Sequence, residues 1–407
     1  MRTVFDELTA PLNSFFDSHA KQIDEQADSK ALFFEDFSLK IILAHVMKFN
    51  SLSILCTELK TNETVKALGF LPTPKSTLQD AFTRFQASDF QKLFQFVLKN
   101  NSWASIPAID ELGIFQLVDG SIFPNITSMS WAKYKKTKNA IRLNMSFELN
   151  RMIPTEFLTA AANYSERKFL ETILKKGTTY IADRGYFSFD LAAKISDALA
   201  FFILRIKSNL KFTVCKNLAI TSLSGNLPLC FNNVKDQLIR FDNDDNDKVY
   251  RLVSFSVSGN EFLICTNRLD LTTLEIIMLY AYRWQVELLF KFIKRTINGI
   301  HLFNLSENGV TIHFYLLMIT ALLQLRLKQL CSNFTQFTET IEENDIVNVK
   351  KMEQLSNYSG HDPSIWIKSL TDKFYQYWKI GLHWLIKLKN LIAKPFDFRA
   401  ITILGAP

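Results

Sequence analysis

The stretch Tyr280–Lys294, YAYRWQVELLFKFIK, constrains this chain more than any other part of it. Read as a helix at ~100° per residue, it sets Tyr280, Arg283, Glu287 and Lys294 within about 60° of one another. The rest of the circumference is almost wholly apolar: Trp284, Val286, Leu288, Leu289, Phe290, Phe292 and Ile293. A surface helix would be polar over half its girth. The pattern therefore predicts a core helix over Thr272–Asn298 with a single ionic stripe. A carboxylate buried between an arginine and a lysine needs a use.

The chain around it has room for two or three domains with proper cores, at 407 residues. A hydrophobic content of 48% against 21% charged excludes wholesale disorder. The net charge of +7 is a modest basic excess, compatible with a polyanionic partner. Cys56, Cys215, Cys230, Cys265 and Cys331 form no C-x-x-C pair, so neither a zinc site nor a disulfide framework is expected, and a reducing cytoplasm fits. MRTVFDELTAPLNSFF carries acids and no continuous apolar core, unlike a signal peptide. The most apolar run, Ile312–Leu325, is short for a membrane span and reads as a buried helix. The expectation is a soluble protein with no membrane partner.

Residues 1–108 read as a helical region. FSLKIILAHVMKF and LQDAFTRFQASDFQKLFQFVLKN carry helical periodicity, separated by the proline-broken LGFLPTPKS. Ser76-Thr77-Leu78-Gln79 suits a capping box, and Lys75, Ser76, Thr77, Gln79 and Arg84 could face outward to read DNA or simply be solvated. Residues 109–209 change character. Ile114–Val118 is a buried strand signal ending on Asp119-Gly120-Ser121. WAKYKKTKNAIR then holds Lys133, Lys135, Lys136, Lys138 and Arg142 with Trp131 and Tyr134, which suits either a phosphate backbone or a solvated hairpin tip. Two antiparallel strands follow, Ile141–Leu149 and Ile153–Ala160, then a short helix with Ser165 as its cap. Strand Thr178–Ala182 ends in Asp183-Arg184-Gly185-Tyr186. Helix Phe189–Ala198 and strand Leu199–Ile206 lead to Lys207-Ser208-Asn209.

Three strands, helix, strand, helix, strand is the ribonuclease H-like order, an α/β fold with a mixed sheet and helices on its faces. Residues 210–264 interrupt it as a β-rich insertion. Its turn Asp242–Asp247 lacks the glycine and the terminal glutamate of a calcium loop and reads as a solvated hairpin. Residues 265–330 resume the core with the Glu287 helix and an apolar helix over Val310–Leu330. Residues 331–407 form a C-terminal helical region, with a polar connection and then an amphipathic stretch over Ile365–Ile392.

In such a sheet Asp119 and Asp183 would lie side by side on neighbouring strands, and a later helix could bring Glu287 to the same edge. Three anions held together repel unless cations neutralise them, and hard oxygen ligands select Mg²⁺ or Mn²⁺. Two such ions suit phosphodiester chemistry. Singly, each carboxylate has a plainer use as a turn residue or, for Glu287, as a partner of Arg283 or Lys291.

The spacing Tyr280-x2-Arg283-x3-Glu287-x6-Lys294 resembles the signature of the DDE transposases of the IS-four type of bacterial insertion sequence. Asp119-Gly120-Ser121, Asp183-Arg184-Gly185-Tyr186, LRIKSN and WAKYKKTKNAIRL are similar to the family's other motifs, over about residues 115 to 330. The resemblance implies a metal-binding catalytic triad of Asp119, Asp183 and Glu287, with two Mg²⁺ or Mn²⁺ ions. It implies DNA contacts from Tyr280, Arg283 and Lys294, joined by Lys291, Arg184, Lys207, Lys135, Lys136 and Lys138. It further implies cleavage and strand transfer at terminal repeats of double-stranded DNA by a dimer. Some relatives grip a flipped base with a tryptophan of the insertion. Residues 210–264 hold none, only Phe212, Phe231, Phe241, Tyr250, Phe255 and Phe262. A nuclease without strand transfer, or a catalytically dead DNA-binding derivative, are the rival readings.

Overall fold

The computed structural model describes residues 3–124, 129, 131–135, 138–220, 232–245, 247–257, 260–283, 286, 290 and 302–331. Among these residues, ten strands make one mixed sheet. They are β1 (Ile114–Pro124), β2 (Lys133–Lys135), β3 (Lys138–Glu148), β4 (Ile153–Ala161), β5 (Thr178–Ala182), β6 (Phe201–Arg205), β7 (Phe212–Asn217), β8 (Asn232–Phe241), β9 (Val249–Val257) and β10 (Asn260–Thr266). Their spatial order is β2-β3-β1-β5-β6-β10-β9-β8-β7, with β4 also paired to β3. β1, β3 and β4 run antiparallel, whereas β1, β5 and β6 are parallel. The short β5, TTYIA, is buried at every residue, as a central parallel strand must be. The strands after residue 210 continue this sheet, because β10 pairs antiparallel with β6.

Strand alternation sorts the sheet into two faces. Leu117, Ile181 and Ile203 point into one hydrophobic core, and Val118, Tyr180, Ala182, Phe202 and Leu204 into the other. The second face is covered by α4 (Glu166–Thr172) and α5 (Phe189–Asp197), through Phe169, Leu170, Leu191, Ala192 and Ile195. The first is covered by α6 (Thr273–Ala281), by α7 (Glu307–Cys331) and by the N-terminal helices, among them α1 (Phe34–Met47), α2 (Lys75–Arg84) and α3 (Ala87–Lys99). α7 carries the helix expected over Val310–Leu330, starting three residues earlier and ending one later. It is long and apolar enough to cross a membrane, but 89% of its most apolar window is buried inside the protein, as in a core helix.

Several sequence expectations are corrected. β1 does not stop at Asp119. It runs on to Pro124 against β3, while its parallel pairing with β5 ends at Leu117. α2 begins at Lys75 with Pro74 at the N-cap and no side-chain cap bond, so the Ser76 box does not form. Ser76 already lies inside the first turn, too late for its hydroxyl to reach the orphan N–H groups. Ser165 makes no cap bond either. Thr272 and Glu275 do form a full capping box at the start of α6. Asp244, in the turn expected to be solvated, is buried and accepts a hydrogen bond from the Tyr250 hydroxyl at 2.9 Å.

The largest correction concerns the helix on which the ionic stripe was placed. α6 ends at Ala281, and the chain is helical again at Val286 and Phe290, so the run expected as one helix is interrupted at Tyr282 and Arg283. The chain then tightens: the Arg283 N–H donates to the Tyr280 carbonyl at 3.0 Å and the Val286 N–H to the Arg283 carbonyl at 3.2 Å. Such i→i−3 bonds wind three residues per turn and bring residues three apart directly over one another. The Arg283 guanidinium accordingly lies 5.8 Å from the centre of the Tyr280 ring. Glu287, Lys291 and Lys294 lie outside the described residues, as does the expected helix of the C-terminal tail.

Candidate active site

Parallel pairing of β1 with β5 sets Leu117 beside Ile181, so two residues further on Asp119 and Asp183 are brought to neighbouring positions. Both share the face of Leu117 and Ile181, since side chains two apart in a strand point the same way. β5 ends at Ala182 and leaves the Asp183 carboxylate 35% exposed, while Asp119 stays in the continuing β1 at 20%. The Gly120 N–H donates to Asp119 Oδ1 at 2.8 Å.

Each aspartate faces an arginine. Arg283 Nη1 lies 3.6 Å from Asp119 Oδ2, and Arg205 Nη1 lies 3.9 Å from Asp183 Oδ1. The Tyr280 hydroxyl donates to Asp183 Oδ1 at 3.1 Å. Burial raises the Tyr280 phenol to about 12, with Arg283 pulling it down and Asp183 pushing it up. It therefore stays a neutral donor throughout the working range of pH. Arg205 in turn lies 4.5 Å from the centre of the Phe262 ring, which stacks on Phe255 and meets Tyr280 edge-on. Two carboxylates, two guanidiniums and one phenol thus converge from β1, β5, β6 and α6.

Two buried arginines aim α6 at this point. Arg251 on β9 forks onto Asp236 at 2.9 and 2.6 Å and donates to the carbonyls of Arg268 and Leu271. Asp236 also accepts from the Thr273 hydroxyl at 2.8 Å. Arg268 donates to Thr179 Oγ1, the Leu112 carbonyl and Asp270. The link from β10 to α6 is therefore held to both halves of the sheet.

Comparison with known proteins gives the family. Residues 112–323, just over half of the chain, match the model of the transposase DDE domain. The chain belongs to the DDE transposase family. It is 26% identical over 251 residues to "Putative transposase y4zB" of Sinorhizobium fredii, covering 58% of this chain and 70% of that one. It is 22% identical over 185 residues to "Probable transposase for insertion sequence element IS5377" of Geobacillus stearothermophilus, covering 45% of this chain and 48% of the other. Among solved structures, a piggyBac transposase synaptic complex with hairpin DNA is similar over 99% of this chain and 83% of its own, at a TM-score of 0.40 and 10% identity. That likeness is too weak to bear on the chemistry.

Within this DDE domain the residues expected from sequence fall into groups. Asp119, Asp183, Tyr280 and Arg283 meet. Arg184 and Lys207 are exposed in the loops that leave β5 and β6. Lys135 pairs with Lys138 across the β2–β3 ladder, and Lys136 lies outside the described residues. Arg142 is not presented to a partner but forms an ion pair with Glu166. Arg84 likewise turns back to Asp80 and Ser29. Of the insertion aromatics, Phe241, Tyr250 and Phe255 are buried in packing.

Arg205 was missed by sequence reasoning. Its signal was present, because strand period places it on the face of Ile203, the same face that carries both aspartates. Among the described residues no cluster of three or more His, Cys, Asp or Glu is placed to hold a metal, and Glu287 is not among them.

Proposed function

We propose that this chain is a transposase of the IS-four type, with a ribonuclease H-like catalytic sheet, that cuts and joins the terminal repeats of an insertion sequence. The observation that carries the reading is the placement of Asp119 and Asp183 two residues beyond the paired Leu117 and Ile181, each carboxylate answered by an arginine from a different element. The ribonuclease H-like reading is supported by the run of three antiparallel strands, β4-β3-β1, continued by the parallel β5 and β6.

Asp119, Asp183 and Glu287 would hold two Mg²⁺ or Mn²⁺ ions. The donor set fits in kind: carboxylate oxygens are what hard divalent cations select, and each of the two aspartates already holds a cationic partner, at 3.6 and 3.9 Å, that a metal ion would replace. When bound, such ions activate a water or 3′-hydroxyl and stabilise the leaving oxygen of a phosphodiester. The chain's own side chains do the rest. Tyr280 orients the Asp183 carboxylate. Arg283, joined by Lys291 and Lys294, turns to phosphates of the transposon end, where a planar guanidinium binds two oxygens at once. Arg184, Lys207, Lys135, Lys136 and Lys138 hold the DNA backbone, and two chains bring two ends together.

The test uses purified full-length protein, Mg²⁺ and DNA carrying the element's own ends. Asp119→Asn, Asp183→Asn and Glu287→Gln should each lower cleavage by at least about 10³-fold while leaving DNA binding intact, since removing charge at a reacting phosphate forfeits several kcal/mol. Retention of cleavage by any of the three would refute its assignment. A supplied 3′-hydroxyl end and a target plasmid should give joined product, which a simple nuclease would not.

A further inference from the structure

Arg205 stands beside the aspartates with no part yet in the chemistry. Its place follows from register. Parallel pairing sets Ile181 beside Ile203 and Ala182 beside Leu204, so the next residues, Asp183 and Arg205, are brought to neighbouring positions. Both lie on the face of Ile181 and Ile203. On its other side Arg205 pairs with Ile264 of β10, and Phe262, two residues before Ile264, shares that face. The guanidinium lies 4.5 Å from the centre of the Phe262 ring, and its Nη2 donates to the Glu261 carbonyl at 3.4 Å. Phe255, the cross-strand partner of Phe262, backs that ring in turn, stacked at 5.2 Å and 7°.

Two different groups serve one oxygen of Asp183. The Tyr280 hydroxyl donates to Oδ1 at 3.1 Å, whereas Arg205 Nη1 lies 3.9 Å from the same atom, beyond hydrogen-bond reach. The phenol therefore orients the carboxylate and leaves its charge intact. The guanidinium offsets that charge without fixing the orientation. The two duties are separable: moving the guanidinium aside leaves Asp183 oriented and fully anionic.

We propose that Arg205 is a positioning residue for the aspartate pair: a built-in stand-in cation that balances Asp183 in the metal-free chain and yields the carboxylate to a divalent ion while its guanidinium stays on the Phe262 ring. The arrangement has an electrostatic logic. With no cation there, Asp119 and Asp183 would repel each other from adjacent strands. A cation that could not move aside would instead repel the incoming ion. The cation–π contact gives the guanidinium a resting place that does not depend on Asp183. This inference rests on the reading of Asp119 and Asp183 as the catalytic, metal-binding pair.

In the full chain without DNA, Arg205→Gln should raise Mn²⁺ affinity roughly fivefold, the upper worth of a partly exposed ion pair, read from free Mn²⁺ by electron paramagnetic resonance. The same variant should melt below the parent without metal and gain more in thermal midpoint from added Mn²⁺, because tighter binding stabilises the fold by mass action. Arg205→Lys keeps the charge and should bind Mn²⁺ about as the parent does. Phe262→Leu removes the resting place and should weaken Mn²⁺ binding, but should change nothing further in the Arg205→Gln background. Unchanged or weaker Mn²⁺ binding by Arg205→Gln, beside an Asp183→Asn control that loses both Mn²⁺ and cleavage, would overturn this proposal alone. Full cleavage and unchanged Mn²⁺ binding by Asp183→Asn would sink the catalytic reading and this inference with it.

Discussion

Gly120 shows how closely the residues around the aspartates are fitted. A Cβ there would stand 2.7 Å from Glu166 Oε1 and 3.0 Å from Asn144 Oδ1, on the sheet face opposite Asp119. Asn144 is its cross-strand partner and is fully buried, and Glu166 is held by Arg142, so neither neighbour can retreat freely. Gly120→Ala should therefore cost about 1–3 kcal/mol through overpacking, measured by urea unfolding. An unchanged midpoint would mean that Glu166 swings away without loss. The neighbouring placement of the two aspartates was legible in sequence because each follows a buried apolar strand run and strand period fixes its face. The contacts of Glu166, Asn144 and Tyr186 were not. They arise where α4, β3 and the turn after β5 converge, and no local pattern records that meeting.

At the scale of elements, the break after Ala281 was also hidden. AYRWQVELL is sound helix-forming sequence, and the tight turn accompanies the tertiary contact of Arg283 with Asp119. The link into α6 depends on the buried Arg251–Asp236 pair, whose side chains are 4% and 0% exposed. Arg251→Ala strands a buried carboxylate and should cost about 3–5 kcal/mol, whereas Arg251→Met with Asp236→Leu should recover most of it. Urea midpoints of the two variants compare them directly; equal losses would show that the pair's geometry, rather than the stranded charge, sets the cost. A second element contact joins α1 to α7. The rings of His45 and His313 meet edge-on at 4.9 Å, buried, with no hydrogen-bond partner among the described residues. Burial lowers His313 to about 4 and, helped by His313, pushes His45 well below its ordinary value. The unfolded chain therefore takes up protons first as pH falls below about 6.5, so the stability of the fold is complete above that value and declines toward pH 4. The thermal midpoint should drop between pH 7 and 5, and drop less in His45→Leu/His313→Leu. Equal slopes in the two proteins would place the acid sensitivity elsewhere.

The whole molecule is more unified than its sequence suggested. Hydrophobic periodicity separates a helical region over 1–108 from the sheet that follows, and it identifies the helices well. It says nothing of what their apolar faces meet. One hydrophobic cluster runs from Phe5, Phe34, Phe37 and Phe90 in the N-terminal helices through Leu117 and Ile181 of the sheet to Leu316 and Leu323 of α7. Phe94 of α3 packs against Phe157 of β4 and Tyr315 of α7, and Asn308 at the start of α7 donates to the carbonyls of Phe82 and Phe85. The heavy use of phenylalanine has its explanation here, because edge-to-face rings knit helices to helices and helices to the sheet. An N-terminal module that read DNA on a flexible tether would not share a core with the catalytic sheet. Any DNA held by the exposed Lys75, Ser76 and Gln79 of α2 is instead fixed in position relative to Asp119 and Asp183. Removal of residues 1–104 should accordingly not release a soluble catalytic core. It uncovers the apolar face of α7, far more than the few hundred Å² that monomeric proteins leave exposed, and the truncated chain should aggregate or unfold. Circular dichroism and size-exclusion chromatography of the truncated protein decide the matter. A soluble monomer with a cooperative melt would show that the sheet and α7 form a sufficient core without the N-terminal helices.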